Sequence, residues 1–448
     1  MKSRLTRRHL LRNILVTGTA PLIVPRHVVA GGGLVPPSEK LRTAHIGVAG
    51  MGGANLGEIS TFKEVQVVAL CDADSGRLAD AAKQHASAKT FRDWRKLFDS
   101  EKEFDAIVVS TPDHHHAPIA LTGMTLGKHA YVEKPLAHTI QEARLMFETA
   151  AKQKVVTQMG NSGHGGEGLR LWKEYYDAGV IGTIKEIHVW SDRPGRWWGT
   201  QGKPRPGGEH KVPAELDWDL WLGPAPLRPY HPSYHPMQWR GYWDFGCGAL
   251  GDMAVHNADP AFFALDLGQP DWVDAECGNA NDESFPEWSI VTWQFPAKGS
   301  RPAVQMKWHD GGKRPQNVPG LEANRNIGGN GLIFVGDKAG MMGGSHAGSP
   351  RVFPNEKHQQ TKYPQKTLPR SPGHRIEWVR AALAGKPQDS MSGFWYSAPF
   401  TEALLVGLLP IRYGKRIEWD AAAMKAKNCP EADALIRKTY REGWKLPV

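Results

Sequence analysis

The stretch LRTAHIGVAGMGGAN, residues 41–55, decides how this 448-residue chain is read. An apolar run ends in four glycines within seven residues, Gly47, Gly50, Gly52 and Gly53, and helix-forming residues (NLGEISTF) follow. Strand, glycine turn and helix in that order bring backbone N–H groups to a helix N-terminus, where a pyrophosphate can sit. Aligned as G-x-G-x-x-G, the motif has Asn55 in place of its third glycine. Context supports the reading. Asp72 lies at the end of the second apolar run, VQVVALCD (65–72). A carboxylate there accepts ribose hydroxyls and repels a 2′-phosphate, favouring NAD over NADP, although Arg77 keeps NADP open. Without that context the glycines would be an ordinary tight turn.

Working outward, GRLADAAKQHA reads as a helix, DAIVVSTP (105–112) as a third strand and HAPIALTGMTLGK as a helix. HAYVEKP is a fourth strand, TIQEARLMFETAAKQK an amphipathic helix and VVTQMGN (155–161) a fifth strand. This alternation predicts an α/β fold, a doubly wound parallel sheet over residues 41–160. After residue 161 the texture changes. A Pro/Gly/Trp-rich stretch (193–245) has no periodicity, and WSIVTWQF, AVQMKW and GLIFVGD read as half-buried antiparallel strands. Residues 161–448 are therefore expected to form an α+β domain on a large open, mainly antiparallel sheet.

The N-terminus reads Thr6-Arg7-Arg8-His9-Leu10-Leu11-Arg12, followed by ILVTGTAPLIVP. Paired arginines before a short apolar stretch, well under the ~20 residues of a membrane span, predict a twin-arginine leader over residues 1–30. Cleavage is expected after Val28-Val29-Ala30, and GGGLVPPSEK (31–40) is a tether; a basic arm that is never cleaved is the alternative. No other segment reads as a membrane span. Of the net charge of +9, six positive charges fall within residues 1–30, which hold no acid, leaving +3 for the body. That balance, with no basic run interleaved with aromatics, argues against nucleic acid. Cys71, Cys247, Cys277 and Cys429 are scattered, without CxxC or zinc spacing, so no disulfide framework is expected.

Three further clusters carry chemistry. Thr111-Pro112-Asp113-His114-His115-His116 ends the third strand, at the edge where open α/β sheets bind ligands. Three successive histidines invite zinc, but consecutive loop residues point in different directions and no second ligand pair has zinc spacing, so a cofactor-lining loop is expected and no metal. Glu133-Lys134-Pro135 ends the fourth strand on the same edge. Lys134 there would lie near the nicotinamide and polarise the reacting oxygen, with Pro135 stiffening the turn; alone, the tripeptide is common on surfaces. Asp252-Met-Ala-Val-His256 places a carboxylate and an imidazole on one helix face. Histidine accepts protons near neutral pH, and a neighbouring carboxylate can raise its basicity; a structural helix pair is the alternative. Seven tryptophans (Trp190, Trp197, Trp198, Trp218, Trp221, Trp239 and Trp243) fall between residues 190 and 243. Indoles stack on sugar C–H faces, and Trp197 and Trp198, flanked by Arg193 and Arg196, are the candidates; the others suit core or subunit contacts.

Together these features resemble the glucose-fructose oxidoreductase / inositol dehydrogenase family (Gfo/Idh/MocA). The resemblance runs from IGVAGMGG through STPDHHHAPIAL, VEKPLAHTIQEAR, TQMGNSGH and GALGDMAVHNADP to GKRIEWDAAAMKAKN. It implies an NAD(P)-binding Rossmann domain, a C-terminal α/β domain and hydride transfer from a sugar, glycoside or polyol. Lys134 would be the catalytic lysine, His256 the acid/base, and Asp252 its partner and a substrate ligand. Gly50, Gly52, Gly53, Asn55, Asp72, Thr111, Pro112, His116, Glu133 and Lys134 would hold the cofactor, and Asn161 and His164 would line the domain junction. A homo-oligomer, dimer or tetramer, is expected. Free NAD is scarce outside the cytoplasm, and the twin-arginine translocation machinery carries proteins already folded, so a periplasmic enzyme with tightly bound, internally recycled NAD follows. Its closed cycle either oxidises one compound and reduces another, or oxidises, eliminates, hydrates and re-reduces one glycoside, with hydrolysis as the net result. A sugar-binding scaffold without turnover fits poorly with intact Lys134, Asp252 and His256. A DNA-binding repressor fits poorly with the leader and the weak charge.

Overall fold

The computed structural model describes residues 39–448; the expected leader, the expected cleavage site and most of the expected tether lie outside the described residues. The chain from Leu41 opens with strand β1 (Leu41–Ile46), helix α1 (Met51–Ile59), β2 (Val65–Cys71), α2 (Ser75–Gln84), β3 (Lys89–Phe91) and α3 (Trp94–Ser100). There follow β4 (Ala106–Val109), α4 (Asp113–Thr125), β5 (His129–Val132), α5 (Ile140–Gln153) and β6 (Thr157–Met159). The six strands form one sheet in the order β3-β2-β1-β4-β5-β6, and every pairing is parallel. The order reverses at β1/β4, which is where a doubly wound sheet opens its ligand crevice. Central strands such as AIVV and YV are buried on both faces, so they read as unbroken apolar runs rather than alternations. Helix α5 starts at a capping box: Thr139 accepts from the Glu142 N–H while Glu142 accepts from the Thr139 N–H.

Two local expectations differ from the structure. The edge strand β3 was not expected; its three residues, KTF, are too few to show a period. The histidine triplet is not a loop. Helix α4 begins at Asp113, directly after Pro112, and buries His114, His115 and His116 in its first turn.

The second part holds α6 (Glu167–Asp177), β7 (Ile184–Trp190), the site helix α7 (Gly248–Asn257) and α8 (Asp259–Leu265). Strands β8 (Trp272–Gly278), β9 (Trp288–Phe295), β10 (Val304–His309), β11 (Gly331–Gly336), β12 (Gly340–Gly343), β13 (Arg351–Phe353), β14 (Ile417–Asp420) and β15 (Lys425–Ala426) complete it. With β7 they make a nine-stranded sheet, ordered β13-β12-β11-β7-β10-β9-β8-β14-β15, in which only β7 and β10 pair in parallel. In β9 the alternation is direct: Ser289, Val291, Trp293 and Phe295 are buried, and their neighbours are half-buried.

Separation in sequence is not separation in space. Helix α9 (His374–Ala384) returns to the first sheet and packs Trp378, Val379, Ala381 and Ala382 against Leu41, Val65, Val108 and Tyr131. Residues Phe394–Tyr413 are long and apolar enough to pass as a membrane span, contrary to the sequence expectation that no such segment lies past the leader. They are 83% buried, and their helix α10 (Phe394–Val406) packs on α5, so the apolar surface is taken up by the protein core.

Candidate active site

A cavity of about 650 Å³ opens at the carboxyl edge of the parallel sheet, at the point where the strand order reverses. Its floor is the glycine turn. Gly50 has φ +56° and nothing within 4 Å of where a Cβ would stand, which leaves open space at the N-terminus of α1. Gly52 has the opposite role: a Cβ there would lie 2.0 Å from the Gly47 carbonyl oxygen, so only glycine lets α1 start this close to β1. At one end the Asp72 carboxylate accepts from the Val48 and Asp74 N–H groups. Burial raises its pKa, and these two donors oppose the rise. The Thr111 hydroxyl is buried beside the cavity without a hydrogen-bond partner among the described residues. An open glycine cradle, a fixed acid at the β2 end and an unsatisfied hydroxyl at the β4 end together fit a dinucleotide.

Of the expected cofactor residues, Gly50, Asp72, Thr111, Pro112, Glu133 and Lys134 line this cavity. Gly52 and Gly53 shape the turn without lining it. Asn55 and His116 face elsewhere. The Asn55 amide donates to Ser110 Oγ (3.0 Å) and Glu133 Oε1 (2.9 Å), and its oxygen accepts from Arg375 Nε (2.7 Å). Asn55 is thus a fully buried polar hub tying α1 to β4, β5 and α9, a job no glycine could do. The His116 ring nitrogens meet the carbonyls of Pro135 and Thr111, both at 2.8 Å, so this side chain braces the Lys134 turn from behind. Burial lowers its pKa to about 4. Both His114 nitrogens likewise face backbone carbonyls, of Phe245 and Trp221, and His115 Nε2 faces that of Trp221, while His115 Nδ1 has no hydrogen-bond partner among the described residues.

Lys134, at the end of β5, donates through Nζ to Asp252 Oδ1 (2.6 Å) and to the Asp252 carbonyl (3.3 Å). Arg240 Nε and Arg193 Nε lie 3.5 and 3.6 Å from the two oxygens of the same carboxylate. Burial pushes the Asp252 carboxyl up, but Lys134 and Arg240 outweigh it and hold the group well below the usual range. One helical turn on, His256 stacks on His346 (centroids 4.0 Å apart), with Nδ1 buried and without a hydrogen-bond partner among the described residues. Its pKa moves down rather than up. Burial is the largest cause, the charge on Lys134 adds to it, and Asp252 opposes it without prevailing. Asp252 thus raises the basicity of His256, as expected, but burial and the neighbouring Lys134 charge outweigh it.

Asn161 and His164 sit at the junction in a closed polar group. Asp259 accepts from Asn161 Nδ2 (3.0 Å) and from the Tyr396 hydroxyl (2.6 Å) and faces His164 Nδ1 (3.0 Å). Ser392 donates to Asn161 Oδ1. This group holds the end of β6 to α8 and α10. Within this group only His164 Nε2 has no hydrogen-bond partner among the described residues. The two candidate tryptophans part company. Trp198 is 2% exposed and gives its N–H to Gln201, so it is a packing residue and not the sugar platform expected of it; Trp197 is 39% exposed, with the Arg193 guanidinium 3.7 Å from its ring centroid. Trp221 and Trp239 belong to an aromatic core formed within residues 193–245 and supply the opposite wall of the cavity.

Asp113, Arg240, His346 and Trp444 were not singled out from the sequence. Asp113 lines the cavity, accepts from the Cys247 N–H and is raised to about 7 by burial, despite Arg240 and Lys134 nearby. Trp444 lines the cavity beside Trp94 and lies over Arg95. Only Asp113 had a sequence signal, its place between Pro112 and the histidines.

A two-domain oxidoreductase with a dinucleotide cavity that ends at Lys134, the lysine paired with Asp252 and His256 one helical turn further on, is the class that this fold and site define. Residues 41–161 match the family model described as "Oxidoreductase family, NAD-binding Rossmann fold", and residues 176–323 match that of its C-terminal alpha/beta domain. The chain belongs to the Gfo/Idh/MocA family, and NAD is the cofactor of its Rossmann domain. It is 27% identical over 197 residues to levoglucosan dehydrogenase of Pseudarthrobacter phenanthrenivorans, covering 44% of this chain and 42% of that protein. It is 30% identical over 192 residues to a glycosyl hydrolase family 109 protein of Shewanella pealeana, covering 38% and 42%. The chain thus spans less than half the length of these curated relatives. In fold it is similar to the WlbA dehydrogenase of Bordetella pertussis, solved with NADH and UDP-GlcNAcA (TM-score 0.59, 17% identity, 85% of this chain and 99% of that one). It is also similar to the aldose-aldose oxidoreductase of Caulobacter crescentus (TM-score 0.54, 14% identity, 85% and 100%).

Proposed function

We propose that the protein is an exported NAD-dependent oxidoreductase acting on a sugar, glycoside or polyol, with a retained cofactor recycled in place. The observation that carries this reading is the Lys134–Asp252 ion pair at one end of the dinucleotide cavity, with His256 one helical turn away. Bound NAD supplies the hydride acceptor. Lys134 has three N–H bonds, two of them directed at Asp252, which leaves one for a substrate oxygen. Donation from that ammonium stabilises negative charge on the oxygen as its proton departs. His256, kept neutral by burial, is in the state that accepts the proton, and Asp252 favours the imidazolium once formed. The aromatic core of residues 193–245 covers the opposite wall and limits access of water.

Similarity to a family 109 glycosyl hydrolase favours a second reading, in which hydride leaves and returns to the same glycoside and the net reaction is hydrolysis. Export through the twin-arginine machinery to the periplasm, with NAD loaded beforehand, suits both readings. The half-exposed face of the nine-stranded sheet, carrying Ile290 and Thr292, is the surface through which copies would pair. The test begins by denaturing purified protein and identifying the released nucleotide. Native protein is then mixed with sugars, polyols and aryl glycosides without added NAD. Reduction of the bound nicotinamide, read by its absorbance, supports the main reading, and aglycone release without net reduction supports the second. Protein that neither carries nor binds NAD(H) would refute both.

A further inference from the structure

The wall of the cavity includes two tryptophans from distant parts of the chain, Trp94 at the start of α3 and Trp444. Their rings are 5.9 Å apart and tilted by 55°, which makes an aromatic corner rather than a flat stack. Trp444 is held in place by polar groups on its own segment and on the Rossmann domain. The Arg95 guanidinium lies 4.1 Å from its ring centroid and is itself bonded to Asp93 Oδ1 (3.0 Å) and Oδ2 (2.8 Å). The His115 ring meets the indole edge-on at 6.0 Å. The Trp444 N–H donates to the Arg441 carbonyl (2.9 Å), closing a turn. Arg441 in turn donates to the Gly223 carbonyl (2.8 Å), the Asp219 carboxylate (2.5 Å) and the Asp219 carbonyl (3.1 Å). Further back, Lys438 pairs with Glu142 on α5 (2.9 Å). Residues 437–444 form no helix or strand, so these side-chain bonds fix the path of the segment.

The two ends of the cavity are chemically different. Lys134 marks the end where the reacting ring belongs, and Asp72, the acid suited to ribose hydroxyls, marks the other. Adenine, the second base of the dinucleotide, then falls at the Asp72 end, which Trp94 and Trp444 wall in. A purine is flat, and a ring of that kind is held by aromatic faces. We infer that Trp444, anchored by Arg441, is a clasp on the adenine end of the bound dinucleotide, and that its opening sets the rate at which NAD leaves. The inference rests on the proposed retained cofactor and names the residues that retain it.

The test reads nucleotide release, independent of turnover. Purified protein is loaded with NADH by exchange and mixed with excess NAD, and release is followed by the fluorescence of bound NADH. Trp444→Ala should release NADH about 5- to 100-fold faster than wild type, the span expected for one base–aromatic stack. Trp444→Phe keeps a flat ring and should stay within about threefold of wild type. Arg441→Gln keeps the indole but frees the segment from Asp219 and Gly223, so it tests the clasp without deleting a ring, and it should speed release by about 3- to 30-fold. Competition against bound NADH then separates the two halves of the cofactor. In Trp444→Ala the affinity for adenosine monophosphate should fall by the same factor as that for NADH, and the affinity for nicotinamide mononucleotide should stay unchanged. Wild-type release rates in Trp444→Ala or in Arg441→Gln would overturn the inference. So would a loss of nicotinamide mononucleotide affinity as large as that of adenosine monophosphate, the mark of a general disturbance. A wild type that exchanges its nucleotide within seconds, with Trp444→Ala faster still, would instead fault the retained-cofactor reading and leave the clasp standing.

Discussion

Replacing Asn55 by glycine would restore the G-x-G-x-x-G pattern, and motif logic expects such a change to be harmless or helpful to cofactor binding. The structure expects the reverse. Asn55 is fully buried and makes three hydrogen bonds, two of them to the charged or titratable groups of Glu133 and Arg375. Bonds to charged groups contribute about 1.5–3 kcal/mol each, and glycine in a helix costs a further several tenths relative to asparagine. Partial relaxation brings the expected loss to about 3–5 kcal/mol, or roughly 5 °C in Tm for a chain of this size. Glu133, already raised by burial and held down chiefly by the Asn55 amide, should rise further and become protonated more readily. The assay is thermal unfolding of Asn55→Gly, with Asn55→Ala separating the glycine effect from the lost bonds, and Glu133→Gln completing a double-mutant cycle. Equal Tm for wild type and Asn55→Ala, or additivity of Asn55→Ala with Glu133→Gln, would refute the hub.

Lys134→Met should lower the rate of hydride transfer by about 10²–10⁴-fold in single-turnover experiments, while the protein keeps its nucleotide. Gly52→Ala should lower both stability and nucleotide content, because the new methyl would sit 2.0 Å from the Gly47 oxygen; fluorescence of bound NADH reads the second effect. Asp113 bears on pH. Its folded pKa of about 7 lies above its unfolded value, so the folded state holds an extra proton between the two. The carboxyl thus costs nothing in strong acid, and stability falls as pH rises from about 4 to 7, by on the order of 3–4 kcal/mol at most. Asp113→Asn should remove this part of the pH dependence and melt higher than wild type at pH 8 but not at pH 4. Parallel melting curves across that range would show that the group titrates normally.

Much of the molecule was legible in the chain because the signals are local. The βα alternation from Leu41 to Met159, the glycine turn with Asp72 and the i,i+4 spacing of Asp252 and His256 each depend on residues close in sequence, whose geometry follows from strand and helix periods. Tertiary structure decided what those residues meet. Asn55 turns to Arg375, 320 residues away, rather than to the cavity. Arg240 reaches Asp252 from a stretch without any period. Trp197 and Trp198 are neighbours in sequence, yet one is exposed and the other is core. The state of His256 was likewise outside the reach of sequence, since burial and the charge on Lys134 act through space and no spacing encodes them.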